Sequence, residues 1–196
     1  MRTVPDPGFG WGNELPTLRG DGVSLRALHA SDVEALFEIF GDPEITRYWS
    51  RSPLSSLRAA EEFLDEIHAG FEARRLFQWG IELGATGEVV GTCTLFNWDR
   101  EHLRCELGFA LGRKWWGQGI GFHAVSTVLR FAFEALEVHR VEADADPRNE
   151  RSLRLLERCG FKREGVLRER YFVNGEVQDA VVLGLLRAEW RASGGR

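Results

Sequence analysis

The segment GRKWWGQGIGFHAV, residues 112 to 125, puts three glycines (Gly117, Gly119 and Gly121) into five positions just ahead of an apolar run. A chain uses glycine where backbone must bend sharply or approach a ligand closely. Ala124, Val125, Val128, Leu129, Ala132 and Leu136 then recur every three or four residues and predict a helix from about 120 to 136. A helix that opens on glycines leaves several N–H groups pointing outward, and its dipole adds positive potential there. The loop is therefore either an anion cradle, with a pyrophosphate its natural occupant, or a turn that merely lets strand and helix pack.

The flanking sequence limits the fold. Residues 22–28 alternate like a strand. His29–Ile45 follows as a helix, with Ser31 as N-cap, Glu34 in the capping-box position and Gly41-Asp42-Pro43 at its end. A second helix, roughly 55–74, starts from Ser55 or Ser56 and lines up Phe63, Leu64, Ile67 and Phe71. Residues 76–83, 88–98 and 104–111 are strand-like runs joined by short turns, an antiparallel meander that leads into the glycine loop. After the glycine helix come a strand at 140–146, a short helix ended by Gly160, and two strands (166–173 and 177–187) around the hairpin signal Asn174-Gly175. The order β-α-α-β-β-β-α-β-α-β-β predicts one mixed α/β (α+β) sheet of about seven strands flanked by helices. Residues 1–16, rich in Pro and Gly, read as a flexible lead-in, and 17–192 as one domain.

Composition removes several function classes. A net charge of −5 argues against sequence-independent nucleic-acid binding. The longest apolar run, residues 180–186, is too short to span a bilayer, and the N-terminus lacks a signal-peptide core, so a cytoplasmic protein without a membrane partner is expected. Cys93, Cys105 and Cys159 form no C-x-x-C pair, and the five histidines show no i, i+4 pairing, so no metal is expected. Cys93 and Cys159 read as buried small hydrophobes.

Gly119 to Ala124 also fits G-x-G-x-x-A, the dinucleotide fingerprint, with Glu142 about 20 residues on. Two facts oppose that assignment. GRKWW separates the glycines from the strand ending at Leu111, and the preceding strands are hairpins, not parallel strands with crossovers. A Walker loop is excluded because no Gly-Lys-Ser/Thr follows.

The loop has a partner in NERSLRLLERCGF, Asn149 to Phe161. Together the two segments resemble the GNAT superfamily of acyl-CoA-dependent N-acetyltransferases, most of all its RimJ/RimL-like branch. Trp116-Gly117-Gln118-Gly119-Ile120-Gly121 supplies the spacing of that family's R/Q-x-x-G-x-G/A motif, with Trp in the first position. N-x-x-S-x-x-L-L-E-x-x-G-F is the more specific half, and the resemblance runs from about Leu18 to Trp190. It implies the GNAT fold, mostly antiparallel with a central parallel pair, ELGFAL and RVEADA, splayed at the site of acetyl-CoA.

The resemblance also implies roles. Main-chain groups of Phe109, Ala110 and Leu111 would pair with the pantetheine arm. The N–H groups of Gly117, Gln118, Gly119, Ile120, Gly121 and Phe122 would hold the pyrophosphate, and Arg113 and Lys114 would meet outer phosphates or stay solvated. Asn149 would contact the cofactor, cap its helix, or both. The implied chemistry is direct attack of an amine on the thioester in a ternary complex. Glu106 is the candidate base, with a surface glutamate as the alternative, and an N–H such as that of Ala110 would meet the oxyanion. Where many members carry a tyrosine acid this chain has Leu156. Ser152 is then the candidate acid, again with capping as the alternative, and Tyr171 is a distant second; a thiolate can also leave unaided. Tyr48, Trp49, Trp98 and Tyr171 are candidate acceptor-binding residues, although tryptophan more often packs cores.

The expected activity is acetyl transfer from acetyl-CoA to a primary amine of the ribosomal-protein N-terminal type. A small amine (polyamine, amino acid or aminoglycoside) and a non-catalytic acyl-CoA sensor are the alternatives, and dimerisation stays open.

Overall fold

The computed structural model describes residues 10–49, 51–173 and 175–194. Its centre is an eight-stranded sheet of β1 (Leu18–Arg19), β2 (Val23–Arg26), β3 (Leu76–Leu83), β4 (Val89–Asp99), β5 (Arg104–Leu111), β6 (Arg140–Ala145), β7 (Lys162–Val173) and β8 (Glu176–Leu186). The spatial order is β1-β2-β3-β4-β5-β6-β8-β7, with every pair antiparallel except β5 and β6. The helices are α1 (Val33–Phe40), α2 (Pro43–Thr46), α3 (Leu57–Glu72), α4 (Ile120–Glu134), α5 (Glu150–Arg158) and α6 (Arg187–Ala192).

Strand alternation sends Phe77, Trp79, Cys93, Leu95, Cys105 and Leu107 to one face, where α4 covers them with Val125, Val128, Leu129 and Phe133. The opposite face of the sheet takes α1 and α3 through Leu36, Ile39, Phe40, Phe63, Leu64 and Ile67, packed with Leu28 and Ala110. Trp190 of α6 stacks on Phe133 at 5.2 Å. Cys93 and Cys159 are buried and unbridged, as expected, and burial pushes both thiols up, that of Cys159 to about 12.

Several details depart from the sequence reading. The α1 cap is Asp32, not Ser31, which lies in a 3-10 turn. The Asp32 carboxylate makes no capping bond to α1; it accepts from Arg26 at 2.8 Å and from the His29 N–H at 2.8 Å, and Glu34 completes no capping box. Ser56 does cap α3, accepting from the Ala59 N–H. Strand β1 and helices α2 and α6 have no counterpart in that reading, because each is too short to show a period.

Of the lead-in expected at 1–16, residues 1–9 lie outside the described residues. Trp11 stacks on Phe77 at 4.3 Å, Leu15 is buried, and Pro16 O accepts from Trp79 Nε1–H at 2.9 Å, so this stretch is packed. Asn174 of the hairpin also lies outside the described residues; its neighbour Gly175 has φ +86° between the paired β7 and β8.

Trp79 is fully buried and also holds the entering chain. Trp79→Ala should lower the unfolding free energy by about 3–5 kcal/mol, measured by chemical denaturation.

Candidate active site

β5 and β6 are in register only from Arg104↔Arg140 through Glu106↔Glu142. Beyond that point β5 stays paired to β4 up to Leu111, and β6 to β8 up to Ala145. Leu107 to Ala110 therefore face a gap, with no strand on their β6 side. This parallel pair consists of the two strands that the resemblance named.

Beside the gap lies the glycine loop. Gly117 and Gly119 have φ of +75° and +82°, the left-handed region that glycine enters freely, and Gly119 is the N-cap of α4. The first backbone bond of α4 is His123 N–H to Gly119 O, so the N–H groups of Ile120, Gly121 and Phe122 precede the helical ladder. Gly121 has a different reason to be small, since a Cβ there would come within 2.8 Å of Leu155 Cδ1 on α5. Its role in the structure is close packing of α4 on α5.

Trp116 Nε1–H donates to Leu111 O at 2.7 Å, and Gln118 Nε2–H to Lys114 O at 2.8 Å. Both bonds brace the loop, and the first occupies the Leu111 carbonyl, which the sequence reading leaves for a ligand. Arg113 faces Asp42 at 3.3 Å and Lys114 faces Glu88 at 2.7 Å, so both bases already have carboxylate partners. The sequence reading misses Arg151 and Arg158 on α5. Arg151 lies over the Trp116 ring at 4.7 Å and Arg158 over Phe122 at 4.2 Å, so two guanidinium groups border the loop. Asn149 caps α5, its Oδ1 accepting from the Ser152 N–H at 3.2 Å.

Glu106 is half-buried at the last registered pair, on the sheet face that carries α1 and α3. Its Oε1 accepts from Asn97 Nδ2–H at 2.9 Å. Its β6 neighbour Glu142 is bracketed by Arg140 at 2.7 Å and Arg104 at 3.2 Å.

Further along β6, Asp144 accepts from the Tyr171 hydroxyl at 2.6 Å. Burial, reinforced by this carboxylate, pushes the Tyr171 hydroxyl up to about 12, so it stays protonated at neutral pH. Tyr48 lies between Arg47 and Arg148, each 5.5 Å from its ring. Burial alone would raise the Asp146 carboxyl, but hydrogen bonds from the Arg148 side chain and N–H outweigh it and hold Asp146 below the usual carboxylate range. Tyr171 thus contacts β6 at Asp144, and Tyr48 contacts Arg148 in the segment that follows β6. Trp49 instead packs on Phe40, and Trp98 joins the α4-side core against Phe77 and Trp11. Leu156, at the position of the family's tyrosine acid, is buried.

A pocket of about 160 Å³ lies elsewhere, under Asn13–Leu15 between α3 and β3. Among the described residues no group of His, Cys, Asp and Glu could hold a metal, and no helix is long and apolar enough to cross a membrane.

The Acetyltransferase (GNAT) domain family matches residues 23–162, and the chain belongs to that family of acetyltransferases. The uncharacterized N-acetyltransferase YoaA of Bacillus subtilis (strain 168) is 33% identical over 173 residues, 88% of this chain and 98% of its own length. The ribosomal protein uS5-alanine N-acetyltransferase of Escherichia coli (strain K12) is 28% identical over 192 residues, covering 93% of this chain and 97% of its own. The crystal structure of the spermidine N-acetyltransferase from Vibrio cholerae, in complex with CoA and spermine, shares the fold with a TM-score of 0.77 at 23% identity, over 87% of this chain and 98% of that one.

Only the Gly119 backbone conformation resists a side chain there, since an added Cβ would meet nothing closer than the His123 ring at 3.8 Å. Gly119→Ala should therefore lower the unfolding free energy by about 1–2 kcal/mol, and Gly119→Asn by clearly less, both read from denaturant melts.

Proposed function

We propose that this protein transfers the acetyl group of acetyl-CoA to the α-amine of a protein N-terminus. One observation carries the reading: β5 loses its β6 partner just past Glu106, beside a helix N-terminus whose first N–H groups stand outside the helical ladder. The residues present fit the co-substrate. Phe109 and Ala110 offer main chain to the pantetheine arm, and the Gly117–Phe122 stretch offers N–H groups to the pyrophosphate.

Bound acetyl-CoA would supply an activated thioester. An N-terminal amine, with an ordinary pKa of about 7.7–8.0, is largely protonated at neutral pH, and Glu106 takes up that proton. The Ala110 N–H is assigned to the acyl oxygen. Tyr171 is a poor acid, because its hydroxyl is committed to Asp144 and held up to about 12. Ser152 is the remaining candidate to protonate the thiolate, which can also leave without help. Tyr48, Tyr171 and Asp144 form the acceptor side. The uS5-alanine relative supports an N-terminal acceptor.

The test has two stages. Calorimetry should show acetyl-CoA binding; no binding would sink the reading. Thiol release is then followed with an N-terminal alanyl peptide and with spermidine, and the peptide should turn over faster. A preference for spermidine would move the acceptor to polyamines, and binding without turnover on either would make the protein a sensor. Glu106→Gln should lower kcat/KM by about 10²–10⁴-fold and remove the acid limb of its pH profile.

A further inference from the structure

At Asn97 the meander is interrupted beside Glu106. Phe96 pairs with Glu106 and Asp99 with Arg104, so two residues of β4, Asn97 and Trp98, stand opposite one residue of β5, Cys105. This is a β-bulge, a device that re-aims side chains next to active sites. Asn97 adopts φ +49°, the left-handed region that asparagine tolerates better than most residues. The extra residue lets Trp98 turn into the α4-side core while the exposed Asn97 turns its carboxamide to Glu106. A carboxylate only accepts, so the amide must present its nitrogen to it.

We propose that Asn97 is a positioning residue for the acetyl transfer: its Nδ2–H bond to Glu106 Oε1 fixes the carboxylate and leaves Oε2 to meet the acceptor amine. On the β6 side of Glu106, the neighbouring carboxylate is held. Glu142, its register partner, is engaged by Arg104 and Arg140 and does not compete for the Asn97 donor. The charged groups around Glu106 are Arg104 on its own strand, with Asp99 at 3.6 Å from it, then Glu142 and Arg140 on β6, followed by Asp144 and Tyr171. Helices α1 and α3 bring apolar side chains to this face. Asn97 is thus the neutral donor seated on Glu106.

The inference rests on Glu106 as base, and the test separates the two. Rate-versus-pH profiles are recorded for the wild type, Asn97→Gly, Asn97→Asp and Glu106→Gln, with acetyl-CoA and whichever of the alanyl peptide and spermidine turns over faster. Glycine and aspartate both accept a left-handed φ, so backbone strain does not confound the comparison. Losing a donor to the ionised carboxylate disfavours that form, so the acid limb of kcat/KM should move to higher pH in Asn97→Gly. It should move further in Asn97→Asp, which adds a like charge. kcat should fall about 5–10-fold with the KM for acetyl-CoA unchanged, and Asn97→Gly should add no loss on top of Glu106→Gln.

If Glu106→Gln loses the acid limb while both Asn97 variants superimpose on the wild type, Asn97 has no positioning role. A lowered melting temperature with an unmoved limb overturns the role equally, since it marks a purely structural bulge. If Glu106→Gln keeps the limb, the base assignment fails and the inference falls with it.

Discussion

The parallel ladder between β5 and β6 is short, and most of the candidate site follows from where it stops. Main-chain groups inside a sheet are normally consumed by neighbouring strands. Past Glu106 and Glu142 the two strands part, and each keeps only its outer partner. The stretch from Leu107 to Ala110 is left with one edge able to pair with a ligand. The same end point puts Glu106 at the last registered pair, and β5 runs on from there into the glycine loop, so the unpaired edge, the carboxylate and the loop share one origin.

The three glycines of that loop do different work. Gly117 and Gly119 take left-handed backbone where the chain turns into α4, whose first N–H groups stand outside the helical ladder. Gly121 is small because Leu155 of α5 lies against it. That contact brings α5 close enough for Arg151 and Arg158 to lie over Trp116 and Phe122. Aromatic residues in the loop thus orient cations from another helix. A linear motif carries no trace of that arrangement, because the partners are more than 30 residues apart.

What could be read in advance was what local physics controls. The α4 face, the Ser56 cap, the Asn149 cap and the termination of α5 by left-handed Gly160 depend on near neighbours, and their signals survive in the sequence. The central parallel pair was legible only through the family resemblance. Asp32 took the cap position from Ser31 because the 3-10 turn ahead of α1 runs up to it, and its carboxylate is tied back to the His29 N–H and to Arg26 on a different element. Trp11 and Leu15 looked like part of a loose lead-in because the pocket of aromatic side chains that receives Trp11 comes from β3, β4, α3 and α4. Asn97 sat inside a strand-like run; its poor strand propensity was the one local hint of the bulge.

By itself the sequence determined the class of catalyst. Its glycine spacing and the Asn149–Phe161 pattern are short-range features, set by turn conformation and helix capping, and they hold wherever the chain runs. The tertiary structure decided which groups remain available. It satisfied the Leu111 carbonyl with Trp116, paired Arg113 and Lys114 with carboxylates, tied Tyr171 to Asp144, and turned Asn97 onto Glu106. Each outcome is a competition between hydrogen-bond or charge partners distant in sequence. Only the folded sheet, which sets their separation, resolves it.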